Sequence, residues 1–252
     1  MTTQTNYSEL RRFSDALGSR DLDYPVIRVI VDELQALAGR KHATILDYGA
    51  GNTPYRHLFG NGRYLTADVQ QNATNSIDII LSDSKIGLSD ASIDLVLCIF
   101  VLEHVPDYKA TITELIRVLK PSGTLFVAVP YISREHETPH DYLRYTSFMA
   151  QRMFAGCPSV TIRKAGNAWH AIFTLLYEMH IKNGEQATAG IFSRVIHRLA
   201  RAAAPVLNHT LFAKLPQPDD GIFTALIITA IKEGLNIDEP AIGKSVPMEN
   251  SA

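Results

Sequence analysis

Hydrophobic positions along this chain fall into two rhythms. Val26, Ile27, Ile30, Val31, Leu34, Leu37 and Ala38 recur at helical spacing, which predicts an amphipathic helix opened by Asp23-Tyr24-Pro25 and closed at Gly39. Short runs rich in apolar residues follow at 43–47, 63–68, 77–82, 93–98 and 124–130. Several are apolar at almost every position, as strands buried on both faces are. Between the last two, Asp107 precedes a stripe of Ile112, Leu115, Ile116 and Leu119, and Lys120-Pro121-Ser122-Gly123 reads as its stop. Alternation of strand and helix predicts an α/β fold with a doubly wound, mostly parallel sheet.

The second half is less regular. A helix is expected over 146–155, a strand over 159–164 and a last strand over 223–231. Residues 167–215, with Trp169, Ile172, Phe173, Leu175, Leu176 and Met179, read as a helical insertion: a lid, a dimer face, a membrane-surface contact or added core. From about residue 235 the periodicity fades, and 236–252 is expected to be a flexible tail.

Composition narrows the picture by exclusion. Among 252 residues, 46% are hydrophobic and 20% charged, so a disordered chain is excluded. A net charge of −2 gives no footprint for nucleic acid. The longest apolar run, Leu95 to Leu102, has eight residues, short of a membrane span. Met1 to Arg12 carries no signal-peptide core. These features lead to the expectation of a cytoplasmic protein. Two cysteines, Cys98 and Cys157, make neither a disulfide framework nor a zinc site of four cysteines.

The informative stretch is Leu46-Asp47-Tyr48-Gly49-Ala50-Gly51-Asn52-Thr53-Pro54. Two glycines stand where a strand turns, so that a ligand can approach the backbone and φ can be positive. Thr53 is placed to cap a following helix, with Pro54 at its first position. Asp68 follows Asp47 by 21 residues, at the end of the next strand, where a carboxylate can accept both hydroxyls of an adenosine ribose. Asp83 follows the third strand run. A dinucleotide fingerprint would have glycine at Pro54, and the loop has no Lys-Ser or Lys-Thr pair for a triphosphate. Asp47 suits a ligand carrying positive charge.

These residues resemble the class I S-adenosylmethionine-dependent methyltransferases, in the branch of small-molecule enzymes. The resemblance covers about 43–165. It continues from the glycine turn through Leu88-Ser89-Asp90-Ala91-Ser92-Ile93-Asp94-Leu95-Val96, Leu102-Glu103-His104-Val105-Pro106-Asp107 and Arg117-Val118-Leu119-Lys120-Pro121-Ser122-Gly123. It implies a single methyltransferase domain over 1–235, comprising an N-terminal helical segment (1–40), a cofactor-binding core (43–165), the insertion, and a reversed seventh strand (223–232). It also implies that Asp47, Gly49, Ala50 and Gly51 line the methionine end of S-adenosylmethionine. Asp68 would hold the ribose, Val69 would lie beside the adenine, and Asp83 and Ser84 near its amine. Ile99 would pass over the methyl donor. Thr53 stands where the family often has glycine, which implies a tighter loop.

The acceptor side is less determined. Methyl transfer to oxygen or nitrogen calls for a group that takes or orients a proton, and the candidates are His104, His136, Glu137, His140 and Asp141. His136-Glu137-Thr138-Pro139-His140 spells a zinc-protease pattern, but Pro139 opposes the helix that pattern needs. Instead Pro139-His140-Asp141-Tyr142-Leu143-Arg144-Tyr145-Thr146 resembles an acceptor-side segment of some of these methyltransferases. His140 and His104 are the catalytic candidates, with Asp141 and Arg144 as a structural pair the competing reading. Glu103 and His104 are two metal donors without a third, so no metal site is expected. Cys98 reads as core. The expected reaction is transfer of a methyl group to an O, N or C atom of a small-molecule or glycan-like acceptor, with a homodimer as the expected assembly. The rivals are a non-catalytic partner subunit of the same fold and an NAD-dependent oxidoreductase.

Overall fold

The computed structural model describes residues 24–40, 42–60, 62–82, 85–168, 170–172 and 222–232, with 175, 195, 198, 199 and 202 as isolated helical positions. The expected insertion and the tail therefore lie almost wholly outside the described residues, as do Asp83, Ser84 and Trp169.

The predicted first helix forms α1 (Tyr24–Ala38). The apolar runs become β1 (Thr44–Tyr48), β2 (Arg63–Asp68), β3 (Ile79–Ile80), β4 (Ile93–Ile99) and β5 (Leu119–Pro130), with α2 (Tyr108–Val118) between the last two. Helix α3 (Ser147–Met153), β6 (Ser159–Ala165) and β7 (Ala225–Lys232) complete the order. The seven strands make one sheet in the order β3-β2-β1-β4-β5-β7-β6. Only β7 runs against its neighbours, antiparallel to both β5 and β6. Pairing of β1 with β2 on one side and β4 on the other puts the topological switch point at the carboxyl ends of β1 and β4. Open α/β sheets bind ligands there.

Why the runs are almost continuously apolar is visible in the packing. One face sends Ile45, Leu95, Leu97, Phe126 and Ala128 against Ile27, Ile30, Leu34 and Leu37 of α1. The other sends Leu46, Val96, Cys98, Leu125 and Val127 against Ile112, Leu115 and Ile116 of α2 and Ala150 and Met153 around α3. Successive residues of one strand thus enter opposite cores. Cys98 is fully buried and burial raises its thiol well above the ordinary value, in keeping with a core role.

Three local expectations change. Lys120-Pro121-Ser122-Gly123 is not a separate turn but a bulge inside β5: Leu119 pairs with Ile93, and Thr124 with Leu95. Ser122 there has φ 61°. Lys120 Nζ donates to Asp94 (2.8 Å), which also accepts the Thr44 amide (2.8 Å), so the bulge is tied to β1 and β4. The third run shrinks to two paired residues, because Asp78 turns its carboxylate onto the Thr66 amide and hydroxyl (both 2.9 Å). Thr53 caps no helix. It takes φ 54°, outside the extended region a cap residue needs, and only a turn of 3-10 helix, Arg56–Leu58, follows. Asp107 caps α2 as expected, on Ala110 N, and Thr146 caps α3, on Met149 N.

Lys232 closes the sheet from the far end. Its buried ammonium donates to the carbonyls of Ile116 (2.8 Å) and Leu119 (2.7 Å) at the end of α2, and burial pulls its pKa below the usual lysine value. Lys232→Met leaves those carbonyls without a donor and is expected to cost about 1–3 kcal/mol. For a chain this size that lowers Tm by about 2–4 °C per kcal/mol, as read by thermal unfolding.

Candidate active site

The glycine turn leaves β1 with Gly49 at φ 73° and Gly51 at φ 49°. A Cβ built on Gly49 would stand 2.3 Å from Val101 Cγ2, so this position is reserved for glycine by both conformation and space. The turn spends its amides internally. Gly49 N (2.8 Å) and Ala50 N (3.1 Å) donate to the Ala67 carbonyl, and Thr53 N to the Ala50 carbonyl (2.8 Å). Gly51 N donates to Asp68 Oδ2 (2.8 Å), while Val69 N donates to Asp68 Oδ1 (2.7 Å). With those amides committed, the turn is a poor cradle for a pyrophosphate. It offers instead a carboxylate: two amides occupy Asp68, and its remaining lone pairs can accept ribose hydroxyls. Val69, beside it, is 70% exposed, an apolar surface free to meet a flat ring. These residues fit S-adenosylmethionine.

Asp47 is buried. Its carboxylate accepts the Tyr64 hydroxyl at 2.8 Å, and burial together with that charge raises the Tyr64 pKa. Its negative charge therefore stands in a low-dielectric setting two residues before the turn, where it favours a cation. Asn72, which sequence reasoning missed, seats the turn from the other side: its amide donates to the Gly51 carbonyl (2.5 Å) and to Ser76 (2.7 Å). Nothing in the periodicity marks an asparagine in a loop for that role. Ile99 ends β4 half-buried against the α1 side, and it is Val101, two residues on, that lies against Gly49.

Beyond Val101 a 3-10 turn, Leu102–His104, delivers the acceptor-side candidates. Glu103 is 0% exposed, and among the described residues neither of its carboxylate oxygens has a hydrogen-bond partner. Burial pushes its pKa up to about 8. His104 Nδ1 lies 2.8 Å from the carbonyl of His140, so this nitrogen carries the proton and Nε2 the lone pair. Burial lowers the His104 pKa, which the Glu137 charge partly offsets. The His136 ring meets His104 edge-on at 4.8 Å between centroids. His140, by contrast, is exposed; its ring faces the Tyr142 hydroxyl at 3.1 Å, and its contribution to the cluster is the carbonyl.

The loop after β5 holds this arrangement. Asp141 and Arg144 do form the structural pair (2.5 and 2.7 Å), Arg144 also donates to the Arg134 carbonyl (2.6 Å), and Asp141 accepts the His136 amide (2.8 Å). Tyr142 N donates to the Glu103 carbonyl (2.8 Å). Residues 136–140 are not helical, so the zinc-protease pattern is absent as a structure: His136 meets His104, not His140. A shallow concavity of about 320 Å³ between α3 and β6, lined by Phe154, Cys157, Val160 and Ile162 among others, contains none of these groups.

Residues 46–127 match the family model of a methyltransferase domain. The fold is shared with 1,6-didemethyltoxoflavin-N1-methyltransferase of Burkholderia thailandensis, solved with 1,6-didemethyltoxoflavin and S-adenosylhomocysteine. The TM-score is 0.52 at 16% identity, over 90% of this chain and 84% of that one. A SAM-dependent methyltransferase from Archaeoglobus fulgidus gives a TM-score of 0.54 at 14% identity, over 90% and 100% of the two chains. A [4+2]-cyclase gives 0.52 at 17% identity, over 83% and 81%. No curated protein sequence matches the chain. Over the matched third of the chain the residues are those of a methyltransferase domain, and the sheet around them is the fold shared with S-adenosylmethionine-dependent methyltransferases. No helix among the described residues is long and apolar enough to cross a membrane.

Two outcomes test the site. Gly49→Ala should lower Tm and abolish S-adenosylhomocysteine binding. Adding Val101→Ala should relieve the clash but not the positive φ, whose cost to a residue with Cβ is about 1–2 kcal/mol, so rescue should be partial. Asp68→Ala should weaken S-adenosylhomocysteine by about 1–3 kcal/mol in calorimetric titration.

Proposed function

We propose that this enzyme methylates an O, N or C atom of a small-molecule or glycan-like acceptor held between the glycine turn and the Glu103-His104-His136 cluster. One observation carries the reading: Val101 packs on Gly49, and the chain reaches Glu103 and His104 within three residues. Donor turn and acceptor cluster thus share one edge of the sheet, outside β1, β4 and β5. Bound S-adenosylmethionine supplies an already activated methyl on a sulfonium, so the protein's task is alignment and exclusion of water.

In this reading Asp68 holds the ribose, Val69 lies against the adenine, and Gly49, Ala50 and Gly51 give the methionine end its close approach. Asp47 acts through its field, with its carboxylate already bonded to Tyr64. Asp83 and Ser84 stay assigned near the adenine amine, and Ile99 beside the donor, on the resemblance alone. His104 meets the polar atom of the acceptor, its tautomer set by the His140 carbonyl. The His140 ring stands further out, at the exposed rim.

The test uses labelled S-adenosylmethionine and a panel of hydroxylated, amino and glycosidic acceptors, with transfer of label as the readout. His104→Ala should lower turnover by about 10²–10⁴-fold with S-adenosylhomocysteine affinity unchanged. His140→Ala should cost less, because the carbonyl that orients His104 remains. A larger loss at His140 would move the acceptor to the rim and overturn the assignment of His104.

A further inference from the structure

Glu103 is an expensive residue in its present setting. A carboxyl group with 0% exposure and, among the described residues, no hydrogen-bond partner for either oxygen is under-satisfied whether charged or protonated. Two histidines stand beside it. Ligand atoms of Glu103, His104 and His136 all lie within 4.8 Å of one another. His104 Nε2 is 3.9 Å from Glu103 Oε1 and 3.7 Å from Glu137 Oε2. Donors around a tetrahedral zinc ion are about 3.4 Å apart, so modest side-chain rotations close the set.

Both imidazoles are prepared in the same sense. His104 Nδ1 is held by the His140 carbonyl at 2.8 Å. His136 Nδ1 lies 3.1 Å from the Arg134 carbonyl and 3.3 Å from Asp141 Oδ2, and Arg144 clamps Asp141 in turn. In each ring Nδ1 faces an acceptor, for His136 one nearer than the Arg144 guanidinium at 3.5 Å, and a proton held there leaves the lone pair on Nε2. Outer-shell acceptors of this kind fix metal-binding histidines. We propose that Glu103, His104 and His136 bind a first-row divalent cation such as zinc or manganese, with Glu137 as a further oxygen donor. Two nitrogens and one or two carboxylates favour such ions over magnesium or calcium, which prefer all-oxygen sets. The cation compensates Glu103 and presents its open positions to an oxygen or nitrogen of the acceptor, so that with the cation bound His104 acts on the acceptor through the metal rather than directly. That last role rests on the acceptor reading above; the site itself does not.

The test is calorimetric titration of the full chain, stripped with EDTA, using zinc chloride, manganese chloride and magnesium chloride. Cobalt chloride follows, for its visible absorption bands. One equivalent of zinc or manganese should bind, with magnesium weaker. Glu103→Gln and His136→Ala should each weaken binding by about 10–100-fold or more and bleach the cobalt bands, and Asp141→Asn by about 10-fold. Circular dichroism checks folding. If Glu103→Gln does not fold, His136→Ala decides, since that side chain is 20% exposed. A folded wild-type chain that takes no stoichiometric zinc or manganese, or variants that bind as wild type does, would overturn the site. Titration with S-adenosylhomocysteine on the same samples separates the two readings. Cation binding without it leaves the metal site standing and removes the donor site, and the reverse removes only the metal site.

Discussion

Val101 occupies the space that a side chain on Gly49 would need, and the chemistry of the molecule is organised around that contact. It joins the loop after β1 to the loop after β4 across the switch point of the sheet, where the two strands diverge in their connections. On one side the turn continues to Gly51, whose amide is bound by Asp68. On the other the chain passes through one 3-10 turn to Glu103 and His104. A residue larger than glycine at 49 would separate these halves. Methyl transfer depends on in-line geometry with little covalent help from the protein, so it is sensitive to such a separation.

The polar groups around this contact are arranged in two unlike ways. At the donor end the hydrogen bonds close on themselves: the turn amides, Asp68 and Asn72 satisfy one another, and the turn is shaped before any ligand arrives. At the acceptor end the account stays open, since Glu103 is buried with no hydrogen-bond partner among the described residues while the groups behind it are tightly fixed. Asp141, Arg144 and Tyr142 hold the loop after β5 against the loop after β4, and His104 is oriented by a main-chain carbonyl. Rigid support around an unsatisfied carboxyl is the pattern of a site awaiting a ligand.

Legibility in the sequence follows the range of the interactions. The strands were readable because both faces of the sheet are covered, so that β4 and β5 announce themselves as unbroken apolar runs. Gly49, Gly51 and Asp68 were readable because the spacing from a strand end to the next strand end is nearly fixed by the βαβ geometry. The bulge in β5 and the shortening of β3 were not, since each arises from a side chain on another strand, Asp94 with Lys120 in one case and Asp78 with Thr66 in the other. The meeting of His136 with Glu103 and His104 was equally hidden. Two loops that follow different strands carry no common period, and the likeness of the 139–146 segment to an acceptor-side segment pointed to His140, whose ring stands exposed, rather than to His136.

Thr53 shows how a local rule yields to a tertiary demand. As a threonine before proline it has the chemistry of a helix cap, yet it sits at φ 54°, a region that β-branched residues rarely enter. The chain bends back there, with Thr53 N on the Ala50 carbonyl and Thr53 O accepting from Arg56 N. Phe100, at φ 54° with its amide on the Ala128 carbonyl, does the same at the end of β4. Two strained non-glycine residues thus flank the Gly49–Val101 contact, one in each loop. Strain of this kind persists only where surrounding bonds over-determine it; here it accompanies the approach of the two loops at the edge where the proposed donor and acceptor sites lie.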